Sequence, residues 1–87
     1  MSGKIKNNGQ KYPVHEVIKV IRGVDIYRSE KWWKAALLTE NYGKRQVAVY
    51  QWIKKENQWK RKQKMSIVSK DEWGKIVEAC AKLVAEL

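Results

Sequence analysis

Only one stretch of this 87-residue chain repeats with the period of a helix, and it is the last one. From Lys70 to Leu87 the apolar residues Trp73, Ile76, Val77, Cys80, Leu83, Val84 and Leu87 fall on one helical face. Ser69 and Glu72 supply the S-x-x-E capping box that starts it. Everything upstream has strand composition, and a chain this short supports a single core. The pattern predicts an α+β fold, a four-stranded antiparallel sheet followed by one C-terminal helix. One helix covers at most one face of such a sheet, so the other is left to solvent or to a ligand. An apolar stripe that reaches the last residue offers more surface than one small sheet needs. A homodimer pairing through the seven stripe residues is the expected solution. Within the stripe Cys80 reads as a small buried hydrophobe. Gly74 costs about 1 kcal/mol relative to Ala in a helix, and close contact with another backbone would account for it.

Residues 1–13 read as a flexible basic tail, polar and ending at Pro13, with residues 14–87 as the domain. Val14 to Tyr27 is rich in β-branched residues, but its alternation is imperfect and does not say which face is buried. Gly23 inside it marks a bulge or bend. Trp32 to Glu40 is ambiguous by propensity, and its length and neighbours favour a strand. Asn41 to Lys44 is a turn. Arg45 to Ile53 alternates, with Val47, Val49 and Ile53 on one face and Ala48, Tyr50 and Trp52 on the other. Lys54 to Gln58 is a polar loop. In the last strand, Trp59 to Ser69, regular alternation would stand Lys60, Lys62 and Lys64 in a row, roughly 6.5–7 Å apart, on one face. That spacing suits the phosphates of an extended single strand. The competing explanation is a charged edge strand guarded against aggregation.

Charge and aromatic usage point the same way. The chain carries 19 Lys plus Arg against 9 Asp plus Glu, net +10. Residues 70–87 hold three lysines and four acids, which leaves +11 on residues 1–69. Such a field attracts polyanions, nucleic acid first and an anionic membrane second. There are five Trp and four Tyr but no Phe. Amphipathic rings used to the exclusion of Phe imply rings working at a surface or interface, where unpaired bases stack at roughly 1–3 kcal/mol each. One or two of the tryptophans pack a core, and Trp33 and Trp59 are left open between the two roles.

Several classes are excluded. No apolar run approaches the roughly 18 residues of a membrane span, and MSGKIKNNGQ has no apolar core of a secretory signal. One Cys and one His leave no zinc site, and a single thiol fits a reducing, intracellular compartment such as cytoplasm or nucleoid. His15 has no nucleophile motif beside it, Asp71 and Glu72 are helix-start acids, and no phosphate loop occurs. Neither an enzyme, nor a cofactor, nor a small-molecule substrate is expected.

Residues Gly43-Lys44, the run Val47-Ala48-Val49-Tyr50-Gln51-Trp52, the run Lys64-Met65-Ser66-Ile67 and Trp73 follow one another in a known order. In that order they resemble the Gly-Lys turn, the I-D-I-R-x-[YW] strand, the K-G-I-[ST]-L segment and the early helix aromatic of the transcriptional positive cofactor four family of single-stranded-DNA-binding proteins. The resemblance runs from Val17 to Leu87, and the long first strand is more like the prokaryotic and viral relatives than the eukaryotic coactivators. Tyr50 stands where the family has arginine and Ala48 where it has aspartate, exchanging phosphate pairing for base stacking. The resemblance implies a protomer that dimerises through its helix, with curved sheets forming positive channels. It also implies that Lys34, Lys44, Tyr50 and Lys64 fall on or beside contact sites, with Trp32 and Trp52 close by and Arg45 next to Lys44. Trp59, Lys60 and Lys62 enter from the alternation alone.

The expected function is therefore a homodimeric single-stranded-DNA-binding protein of low sequence specificity, serving replication, recombination, repair or transcription. An RNA-binding module, such as a ribosome-associated protein, is the near alternative. A protein-interaction module with tryptophans facing its partner is the more distant one.

Overall fold

A computed structural model describes residues 12–87; residues 1–11, which make up most of the expected tail, lie outside the described residues. Strands β1 (Lys19–Arg28), β2 (Trp32–Asn41), β3 (Lys44–Lys55) and β4 (Gln58–Ile67) precede helix α1 (Lys70–Val84). The strands form one antiparallel sheet in the order β1-β2-β3-β4. The architecture is the α+β arrangement that the sequence predicts. Both hairpins after β2 are tight. Tyr42 and Gly43 take φ of 53° and 78°, and Glu56 and Asn57 take 53° and 64°. Two consecutive left-handed residues match the right-handed twist of the flanking strands, so the expected loop at 54–58 shrinks to two residues. Ser29 closes the first hairpin, its Oγ accepting from the Trp32 N–H at 3.0 Å.

Alternation assigns the two sheet faces. Trp33, Ala35, Leu37 and Thr39 of β2 lie opposite Trp52, Tyr50, Ala48 and Gln46 of β3. All of these except Gln46 are buried, with Ala35, Leu37, Ala48 and Trp52 at 0% exposure. The rings pack as a cluster: Trp33–Trp52 at 4.9 Å, Tyr50–Trp52 stacked at 5.3 Å and Trp33–Trp59 edge-on at 5.5 Å between centroids. The chain without Phe thus builds its core from indole and phenol rings: the expectation of interface rings fails for Tyr50 and Trp52, and Trp33, which the sequence leaves open between core and platform, is core. Their polar atoms are served in place. Trp33 Nε1 donates to Asp25 Oδ1 at 2.8 Å, and Trp52 Nε1 donates to the Pro13 carbonyl at 3.1 Å.

The irregular pattern of the first strand has a cause. Ile21 and Ile26 are extra residues, flanked by register shifts against β2. The two bulges keep Val20, Gly23, Asp25 and Arg28 on the core face despite their uneven spacing. Gly23 is not a bulge residue. A Cβ there would lie 2.6 Å from the Tyr12 ring and 2.7 Å from Leu37 Cδ2, so its hydrogen is what lets Tyr12 seat. Tyr12, which the sequence places in the tail, packs 5.3 Å from Trp33 and 6.1 Å from Trp52. Its phenol is pushed up from 10.0 by partial burial and then by the Asp25 carboxylate, against an opposing effect of Arg28. The folded state therefore holds this proton more tightly than the unfolded chain does. That contribution is complete below about pH 10 and is lost as pH rises through the native value. Tyr12→Phe should flatten this alkaline decline, read as the difference between urea midpoints at about pH 8 and about pH 11; an unchanged decline would assign it to other groups.

The helix begins as its sequence dictates. Ser69 Oγ accepts from the Glu72 N–H at 3.0 Å, and Glu72 Oε1 accepts from the Val68 N–H at 2.9 Å. Its packing does not follow expectation. The helix touches the sheet only near the end of β4 and has no buried residue. Cys80 is exposed and Gly74 faces open space, because no described residue packs against them. The core face is closed instead by Tyr12, Val14, Val20 and Trp59.

Candidate nucleic-acid interface

The face opposite the core is open and divided in two. Near the β1–β2 hairpin one row runs straight across the sheet, Tyr27, Lys34, Gln51 and Gln63, one residue from each strand. Beside it lies a second row, Trp32, Ile53 and Lys60. Tyr27 is 43% exposed, and its hydroxyl accepts from Gln51 Nε2 at 3.0 Å, bridging over the strand that carries Lys34. A shallow concavity of about 380 Å³ lies here, bordered by Lys34, Gln51, Gln63, Met65, Val49 and, at the sheet edge, Lys64. Cations, amides and two rings therefore share one surface, with no carboxylate in either row. Ammonium groups there can pair with phosphates, ring faces can take unpaired bases, and amides can bond base edges.

The rest of the open face is apolar at its centre and charged at its far end. Val24, Ala36, Val49 and Met65 form one row, Arg22, Leu38, Val47 and Ile67 the next, and Lys19, Glu40 and Arg45 lie beyond them. An apolar wedge of about 440 Å³ separates Leu38, Val47, Val49 and Ile67 from Val68 and Trp73 at the helix start.

The lysine row does not exist as expected. A bulge at Lys62 breaks the β3–β4 register, since Gln51 faces Gln63 but Trp52 faces Arg61. Lys60, opposite Ile53, stays on the open face, whereas Lys64, opposite Tyr50, lies on the core face. One extra residue reverses the parity of everything beyond it. Of the residues expected at the interface, Trp32, Lys34 and Lys60 come together on the open half-face. Tyr50 and Trp52 are buried and offer no ring face to a base. Trp59 is half-buried on the core face, with Lys54 Nζ 5.5 Å and Arg28 Cζ 5.6 Å from its ring centre. Lys44 and Arg45 sit at the opposite end of the sheet, roughly 30 Å along the strands from Trp32, where Arg45 pairs with Glu40 at 3.5 Å.

Tyr27, Gln51 and Gln63 were missed by sequence reasoning, as was Arg28, whose Cζ lies 3.9 Å over Trp33. For Tyr27 and Arg28 the bulge at Ile26 hides the parity. Gln51 and Gln63 were legible in principle, because alternation puts Gln51 on the face of Val49 and Ile53. Among the described residues no three His, Cys, Asp or Glu side chains come together as a metal site, and no helix is long and apolar enough to cross a membrane.

No protein-family profile, characterised protein or solved structure matches this chain. The likeness to the positive cofactor four family accordingly rests on its short sequence motifs.

Proposed function

We propose that this protein binds single-stranded nucleic acid, DNA foremost, with little sequence preference and as a homodimer. The observation that carries the reading is the open half-face, where Lys34 and Lys60 lie among Tyr27, Trp32, Gln51 and Gln63 on a protein of net charge +10. Phosphate contacts supply affinity by releasing counterions, and ring stacking favours strands whose bases are unpaired. A duplex hides those bases, so stacking is the source of discrimination. Homodimerisation is supported by the unburied helix stripe and by the apolar half-face beside it, surfaces that a lone chain leaves to water.

Titration with single- and double-stranded DNA of equal length tests the reading. Single strands should bind at least about fivefold more tightly, the lower value of one stacked base, with quenching of tryptophan fluorescence from Trp32. Equal affinity for both forms would refute the stacking role. Competition by RNA of the same sequence at equal potency would replace DNA with RNA as the ligand.

A further inference from the structure

The bulge at Lys62 puts positive charge on both sides of one strand, and that distribution says more than a loss of the expected row. Four of the five residues Lys60 to Lys64 are cations. Lys60 belongs to the open face, Arg61 and Lys64 to the core face, and Lys62 has no partner across the ladder. All four are exposed. Among the described residues the ion pairs are Arg45–Glu40 and Lys75–Asp71, and residues 1–11 contain no acid, so no side-chain carboxylate neutralises these four. β4 is the outer strand of the sheet, and no other described strand pairs with its free edge. Lys64 reaches both sides: it borders the open-face concavity, while its Nζ lies 5.5 Å from the Tyr50 ring centre on the core face. Each face also has a half-buried ring, Trp59 on β4 itself on the core face and Trp32 on the open face, across β3 from Lys60.

We propose that a bound single strand does not end on the open face but turns over the β4 edge onto the core-face side, with the Lys62 bulge as its corner. This rests on the nucleic-acid-binding reading above and specifies the path of the ligand. On the open face phosphates meet Lys34 and Lys60. At the corner they meet Lys62. Beyond it Arg61 and Lys64 hold the backbone, and Trp59 offers the next ring. A charged guard against edge pairing would need only an occupied edge. A strand turning the corner needs cations on both sides of it and a break in the pleat between them, and the bulge supplies both.

Length and position separate this path from binding confined to one face. The four-strand row spans roughly 14 Å, room for about three or four nucleotides, whereas a strand that turns the edge engages roughly six to eight. The test measures binding of oligothymidylates of about 4 and about 12 nucleotides to the wild-type chain, to Arg61→Ala/Lys64→Ala and to Lys34→Ala. All three positions are on the sheet surface, and circular dichroism checks that each variant folds. The double variant should lose about tenfold in affinity for the longer oligomer, with a salt slope shallower by roughly 1.4 for two lost contacts, and should bind the shorter one as the wild type does. Lys34→Ala should weaken both. If affinity stops rising at about four nucleotides, or if the double variant binds the longer oligomer normally while Lys34→Ala does not, the turned path is wrong and open-face binding stands. If the wild type binds neither oligomer, the functional reading itself fails, and the turned path with it.

Discussion

Replacing Trp52 with alanine is expected to destabilise the protein by about 3–5 kcal/mol. The side chain is at 0% exposure, touches Trp33 and Tyr50, and anchors the entering segment through its bond to Pro13. Removal leaves a large cavity and an unpaired carbonyl. Domains of ordinary stability have only about 5–15 kcal/mol in total, and small domains bury proportionally less, so a substantial unfolded population should appear without denaturant. Trp32→Ala gives the complementary result. Its ring lies on the open face, half-buried and outside the core cluster. Urea midpoints should move little, while affinity for single strands should fall roughly 5- to 100-fold, the value of one stacked base. The two tryptophans, on opposite faces of the sheet, thus separate stability from binding. A stable Trp52→Ala protein together with an unfolded Trp32→Ala protein would mean that the two sheet faces have been assigned the wrong way round.

The second large effect concerns association. Trp73, Val77, Leu83 and Val84 are all between 45% and 70% exposed along one helix face. A Val77→Glu/Leu83→Glu variant places two charges in that stripe, and a buried unpaired carboxylate is strongly unfavourable at an interface. Light scattering should report twice the 10.3 kDa chain mass for the wild type and one chain mass for the variant. Because neither position is buried within the chain, the variant's circular dichroism should match the wild type. A wild-type protein of one chain mass at high concentration would contradict pairing through the stripe.

Element order, the Tyr42–Gly43 hairpin and the capped helix were legible because they depend on local chemistry: period, turn residues and the Ser69–Glu72 pair; the 54–58 loop tightened to a Glu56–Asn57 turn. The alternation of β3 was legible because its ladder with β2 has no bulge. The face of β1 and the placement of the β4 lysines were not. Each depends on extra residues, Ile21, Ile26 and Lys62, whose presence is decided by the neighbouring strand and leaves no mark in the residue types. Tyr50 and Trp52 were misplaced for a different reason. Their amphipathic rings suit a base platform as well as they suit a core, and only the packing of Tyr12 beneath Gly23 decides between the two. Cys80 and Gly74 belong by sequence to a stripe expected to pair with a second copy, and a single chain leaves both exposed. The helix projects that stripe outward.

The claim that the zoned open face holds the phosphates of an unpaired strand is tested most directly by salt dependence. Binding of one oligonucleotide is measured across a range of salt concentrations for the wild type and for Lys34→Ala/Lys60→Ala. The wild type should show log affinity falling linearly with log salt, and the variant should fall less steeply by roughly 1.4, about 0.7 for each phosphate contact removed. A slope unchanged by the loss of both lysines, or a wild-type affinity indifferent to salt, would contradict the account.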